Sequence, residues 1–95
     1  MPRYISLLKF TEKGAQAVKK SKARAEAFDR AAAKAGVRIE GQYWTVGAFD
    51  GVLIVNARDE QAALHCLTEL AAAGFVRTET LRAFNAAEFQ AIAGR

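Results

Sequence analysis

The chain is poor in the side chains that most often carry chemistry. Its single cysteine, Cys66, excludes an internal disulfide and points to a reducing compartment. The one histidine, His65, is the adjacent residue. Neighbouring side chains on a helix diverge by about 100°, so these two cannot share a metal ion. With no other His or Cys, a zinc site, a histidine-based triad and a Cys-His nucleophile pair are all poor fits. His65 lies off the apolar stripe of its helix and reads as solvated; Cys66 reads as a small core filler. The glycines form no G-x-G-x-x-G or Walker spacing, which leaves nucleotide phosphate binding without support. No apolar run approaches the ~18 residues needed to span a bilayer. The amino terminus, MPRYISLLKF, lacks the basic region and long apolar core of a secretion signal. The expectation is a soluble cytoplasmic protein with no metal, no cofactor and no membrane partner.

What is present is hydrophobic material and unevenly placed charge. No linker, low-complexity run or charge block divides the 95 residues, so residues 1–95 read as one domain. Between Thr11 and Gly36 seven basic residues (Lys13, Lys19, Lys20, Lys22, Arg24, Arg30, Lys34) face three acidic ones (Glu12, Glu26, Asp29). That segment carries the whole net charge of +4. A basic patch of this kind can hold a nucleic acid. Here no aromatic residue interleaves with the lysines, and no nucleic-acid motif is present. A solvated helix face, with Lys22, Glu26 and Arg30 as mutually supporting pairs four apart, is the better reading. No nucleic-acid partner is expected.

The order of elements is strand, helix, strand, strand, helix, strand. Arg3 to Phe10 is strand-like. Thr11 can cap a helix after it, although Gly14 weakens the first turn. Ser21 is a stronger start, for a helix running to about Ala35 with Ala25, Phe28, Ala32 and Ala35 as its apolar stripe. Gly36 then terminates it. The stretch Val37 to Ala57, VRIEGQYWTVGAFDGVLIVNA, reads as a hairpin turning at Gly47-Ala48-Phe49-Asp50-Gly51. Its second strand, Val52-Leu53-Ile54-Val55, is apolar on both faces, which argues that both sides of the sheet are covered. Asp59 can cap a further helix with Ala63, Leu67 and Leu70 on its core face and Leu64 and Cys66 flanking. Gly74 ends that helix, and Phe75 to Ala83 forms the last strand. Asn85 and Glu88 form a capping box, with Phe84 and Phe89 placed as a hydrophobic staple. A short helix, Ala86 to Ala93, is expected to pack onto the body.

Two strand-helix-strand units joined by a hairpin give an α+β fold, the ferredoxin-like βαββαβ sandwich: four antiparallel strands with two helices on one face, plus the C-terminal helix. Strands one and three fall at the centre, and these are the strands apolar on both sides. One face meets the helices. The other is expected to meet the same face of a second copy, giving a homodimer or higher homo-oligomer through the sheet.

The remaining candidates sit on the strands and the hairpin. Asp50, directly after an aromatic residue at a tight connection, can accept backbone N–H bonds and pin the hairpin. It can also serve as a general base if apolar neighbours raise its pKa; the structural role is favoured because no partner for chemistry lies near in sequence. Tyr43 and Trp44 alternate, so one ring is expected in the core and the other at the second sheet face or a pocket. On the last strand Thr78, Thr80 and Arg82 share one face and Arg77, Glu79 and Leu81 the other. Polar groups on a buried strand need partners. An Arg-Glu network across a dimer is the simpler reading. A polar-lined ligand pocket to which Tyr4 or Ser6 contributes is the sharper one.

Three segments carry a family resemblance: YISLLKFT at Tyr4–Thr11, YWTVGAFDGVLIVNA at Tyr43–Ala57 and VRTETLRAF at Val76–Phe84. Their order and spacing, over nearly the whole chain, resemble the GYD-domain family, small bacterial and archaeal proteins of the dimeric α/β-barrel superfamily. The motif that names the family is altered here to Gly47-Ala48-Phe49-Asp50, so the tyrosine hydroxyl is lost. The resemblance implies the fold and dimerisation. It supplies no catalytic residues. The wider superfamily includes cofactor-free monooxygenases, dismutase-like haem proteins, lactone isomerases and effector-binding domains, and fold does not fix function.

Two functional readings follow. The favoured one is a non-catalytic module that binds a small apolar or aromatic molecule or assembles with a partner. The alternative is a cofactor-independent oxygenase or isomerase working in the cleft between sheet and helices, with Trp44, Asp50, Thr78 and Arg82 as candidates.

Overall fold

A computed structural model describes residues 1–94. The strands are β1 (Arg3–Phe10), β2 (Val37–Trp44), β3 (Gly51–Ala57) and β4 (Val76–Ala83). The helices are α1 (Glu12–Gln16), α2 (Ser21–Lys34), α3 (Glu60–Ala72) and α4 (Ala86–Ala93), with a 3-10 turn at Val18–Lys20 before α2. All strand pairings are antiparallel in the order β2-β3-β1-β4. The central position of the two doubly apolar strands, β1 and β3, agrees with the sequence pattern.

Register divides the side chains into two sets. Toward α2 and α3 point Tyr4, Ser6, Leu8 and Phe10 of β1, and Gly51, Leu53, Val55 and Ala57 of β3. Leu53, Val55 and Ala57 are buried there with Val37 of β2, Ala32 of α2 and Ala62, Ala63 and Cys66 of α3. Cys66 is thus a core residue of α3 and not a flanking one, while Leu64 is 68% exposed. On the opposite face Ile5 lies beside Ile54 and Leu81, and Leu7 beside Val52 and Glu79. No helix among the described residues covers this second set.

The helix boundaries follow local chemistry. The Asp59 carboxylate accepts from the Ala62 amide at 2.8 Å and caps α3. Asn85 and Glu88 close the expected capping box on α4. Gly36 and Gly74 end α2 and α3 with φ of +84° and +81°, the left-handed region that favours glycine. Two expectations change. Ser21 opens α2 but makes no capping bond; its hydroxyl instead accepts from Arg24 at 3.2 Å. Thr11 does cap α1, accepting from the Gly14 amide and donating to the Gly74 carbonyl at 2.6 Å. Gly14 is not a weakness there. A Cβ at that position would lie 1.9 Å from the Phe75 carbonyl oxygen, so only glycine lets α1 meet the start of β4.

The tail differs more. The helix α4 forms, but it packs little against its own body. Phe84, Phe89 and Ile92 stay 49, 63 and 53% exposed. The tie that fixes it is an ion pair, Glu88 to Arg3 at 3.2 Å. A capping box fixes where a helix begins, and says nothing of what its apolar side will touch.

Candidate functional site

The sequence candidates fall into two separate places on the helix side of the sheet. The first is a cleft between α2, the end of α3 and the β2–β3 hairpin, with a volume of about 100 Å3. Leu8 and Leu53 form its floor and Phe28, Trp44 and Phe75 stand around it. Register puts Trp44 opposite Gly51, on the helix side, at the mouth of the cleft and 52% exposed. Tyr43 lies on the open face opposite Val52, 62% exposed, with its ring against Gly41. Neither ring fills the core, because both stand at the end of the edge strand β2, beyond the buried cluster between sheet and helices.

Asp50 lines this cleft, and its bonds show how the hairpin is held. Its Oδ2 accepts from the Phe10 amide at 2.9 Å. Its own amide donates to the Leu8 carbonyl at 2.8 Å, and its carbonyl accepts from the Thr45 amide at 3.0 Å. The carboxylate therefore ties the turn to strand β1, with the structural reading favoured but the partner on a different strand. Nothing in the cleft forms a nucleophile-base pair.

Arg24 is the residue that sequence reasoning misses. Its neighbours in the chain place it among the charges of a solvated helix face, yet it lines the cleft and is half-buried. Its guanidinium stacks over Phe75 at 4.3 Å and donates to the Ala17 carbonyl at 2.8 Å. The signal available in sequence is its spacing: Arg24 and Phe28 lie four apart on one side of α2. The expected ion pairs among Lys22, Glu26 and Arg30 do not close within 4.0 Å among the described residues.

The second place is an open gap of about 640 Å3 between α3 and the edge strand β4. Tyr4, Thr78 and Thr80 line it, facing Leu64 and Leu67 of α3. Ser6 lies beneath, fully buried, its hydroxyl 2.7 Å from that of Thr80. It supports the wall and does not line the gap. Arg82 stands at the end, over the rings of Phe84 at 4.3 Å and Tyr4 at 5.6 Å, and donates to the Arg3 carbonyl at 3.2 Å. Trp44 and Asp50 are thus not neighbours of Thr78 and Arg82, and the four do not form one constellation. The strand β4 is largely exposed from Glu79 to Arg82, and neither Arg77 nor Glu79 forms an ion pair among the described residues.

The open face has its own electrostatics. Alternation from Arg38 puts Glu40 on that face, and the register slip between Ile39 and Gly41 then places Gly41 opposite Ile54, which turns Trp44 to the helix side. Glu40 accepts from Asn56 and from Arg3 Nε at 3.0 Å, with Arg38 3.5 Å away. The bond from Arg3 holds the Glu40 carboxyl below its ordinary value of 4.5, with its charge, Asn56 and Arg38 adding to the shift. Glu88 is lowered too, first by the Asn85 amide and then by Arg3. Burial pushes the Cys66 thiol up, which makes it a poor nucleophile. No group of three or more His, Cys, Asp or Glu residues able to hold a metal occurs among the described residues. None of their helices is long and apolar enough to cross a membrane.

Comparison with known proteins agrees with this architecture. A curated protein of Thermus thermophilus, the glutamine synthetase and cystathionine beta-lyase binding protein, is 33% identical over 89 residues. The match covers 93% of this chain and 94% of that one. A crystal structure of a protein from the same organism matches with a TM-score of 0.56 and 26% identity, over 90% of this chain and 96% of the other. The GYD domain family model matches residues 4–93, and with that span this chain belongs to the GYD domain family.

Proposed function

We propose that this protein is a non-catalytic binding module that self-associates through its open sheet face, as a dimeric α/β barrel, and in that form binds other proteins. The observation that carries the reading is the open face itself. Ile5, Leu7, Val52, Ile54 and Leu81 form a contiguous apolar centre across three strands, with no described helix over it. Charged residues border it at both ends, Arg3, Glu40 and Glu88 at one and Lys9 and Arg77 at the other. An apolar centre within a charged rim is the anatomy of a protein interface. A second copy supplies a face of matching shape under two-fold symmetry.

The name of the Thermus relative states that it binds two enzymes. By extension, this chain binds an enzyme subunit of the same kind, in the cytoplasm, where its single buried thiol stays reduced. The enzymatic alternative has less to stand on. The carboxylate in the cleft is committed to a backbone amide, Thr78 lines a different groove, and Arg82 stands over the Tyr4 and Phe84 rings.

Light scattering at micromolar concentration tests self-association. The wild type is expected as a dimer or larger, and Ile54→Lys as a folded monomer by circular dichroism. A monomeric wild type overturns the reading. Surface plasmon resonance over immobilised glutamine synthetase and cystathionine β-lyase tests the enzyme partners, with saturable binding to either expected.

A further inference from the structure

The cleft beside Trp44 joins two features seldom left together without a ligand: a small apolar space and a fixed cation outside ion-pair distance of any carboxylate of the described residues. Among the described residues no carboxylate lies within 4.0 Å of Arg24. The side chain is nonetheless held. Its guanidinium lies on the Phe75 ring, and two of its N–H groups go to the Ala17 carbonyl and the Ser21 hydroxyl. A guanidinium offers five N–H donors in a rigid fork, so three stay free while the group is oriented. Lys13 sits over the same Phe75 ring at 4.3 Å and adds positive potential.

The space beside it is apolar. Phe28, Trp44 and Leu53 face the interior, and Ala25 of α2 leaves room above them. At about 100 Å3 the cleft is well below the ~300 Å3 of a site for a large metabolite or cofactor. It is nearer the ~150 Å3 of an apolar cavity that accepts one benzene ring. Asp50 is the other charged residue of the lining, and its Oδ2 is taken by the Phe10 amide. It stands more than 4.0 Å from Arg24, so an anion entering the cleft seats at the α2 end.

We propose that this cleft binds a small carboxylate with a compact apolar body, such as a branched-chain or single-ring acid. Its carboxylate accepts the free N–H groups of Arg24, and its body packs against Phe28, Trp44 and Leu53. Charge-assisted, forked bonds to a carboxylate are the strongest that an arginine makes. Apolar walls with one oriented charge are the usual composition of a small-molecule site. The cleft lies on the helix side, opposite the open sheet face, so its occupation does not depend on self-association.

The test is titration of the full chain with 3-methylbutanoate and phenylacetate, followed by amide chemical shifts in two-dimensional NMR. The uncharged 3-methylbutanol and 2-phenylethanol serve as shape-matched controls. Saturable shifts at residues of the cleft are expected with both acids, about tenfold tighter than with the alcohols. Arg24→Gln is expected to bring the acids down to the level of the alcohols, and Ala25→Phe, which fills the space, to abolish binding of all four. Equal affinity for acids and alcohols overturns the proposal, as does unchanged acid binding in Arg24→Gln. So does the absence of saturation up to about 10 mM, the weak end of measurable affinity. If Arg24→Gln does not fold, Ala25→Phe decides: acid binding that survives it places the ligand elsewhere.

Discussion

The two faces of the central strands use the same kinds of residue to different ends. Leu53 and Val55 point toward α2 and α3 and are each 1% exposed, while Val52 and Ile54, between and beside them on the same strand, are only half-buried. Alternation along one strand therefore separates a finished interior from an unfinished one. The difference teaches how to read a continuous apolar run in a small domain. The chain supplies one covering, and under the proposed self-association a second copy supplies the other.

The largest effect that tests this contrast is expected at Leu53. Leu53→Ala removes a fully buried side chain and should destabilise the protein by about 2–5 kcal/mol, read from the denaturant midpoint. Ile54→Ala, one residue away, should cost about 1 kcal/mol in dilute protein, with a loss that changes with protein concentration as self-association weakens. Equal and concentration-independent losses at the two positions would break the comparison.

Next in size is the bond between the faces' common frame and the hairpin. Asp50→Ala leaves the Phe10 amide without its acceptor and should cost about 1.5–3 kcal/mol, the range for a bond to a charged group. Faster hydrogen exchange at the Phe10 amide would place the loss at that bond.

The smallest effects concern pH, and the two faces should respond with opposite signs. Glu40, on the open face, has its pKa lowered by Arg3, so its contribution is present above 4.5 and lost as pH falls through the depressed value. Glu40→Gln should lower Tm at neutral pH, with the gap closing in acid. Asp29, on α2, is raised, first by burial and then by the charge of Glu26, and its Oδ1 is shielded without a hydrogen-bond partner among the described residues. A raised carboxylate favours the folded state below its ordinary 3.8, and that advantage is lost as pH rises through the folded value. Asp29→Asn should therefore raise Tm at neutral pH and lose its advantage in acid. Thermal melts of both variants across that range check the signs.

Much of the fold was legible because it rests on local rules. The caps at Asp59 and Asn85, the left-handed glycines at 36 and 74 and the apolar run of β3 each act within a few residues. The parts that were not legible depend on what lies across space. Gly14 looks like a flaw until the Phe75 carbonyl is seen 1.9 Å from where its Cβ would stand. Arg24 has the sequence surroundings of a surface residue, and only the approach of Phe75 from the start of β4 turns it into a cleft wall. Trp44, Asp50, Thr78 and Thr80 are real lining residues, but of two grooves, because β2 and β4 stand at opposite edges of the sheet, as the expected central strands already imply. The Glu40 bulge left no periodic trace, for one extra residue in a strand looks like an ordinary alternation on either side of it.

The anchorage of Asp50 has a kinetic side. A hairpin whose turn is closed by its own residues can form alone and early, in about 1–10 microseconds. This one is closed locally by Thr45 and fastened a second time at Phe10 and Leu8, some forty residues upstream, so its loop is not fully held before β1 arrives beside β3. The turn is in effect a long-range contact. Ordering of Phe49 and Asp50 should accordingly appear with the late, high-contact-order steps of folding, together with the β1–β3 pairing and not ahead of it.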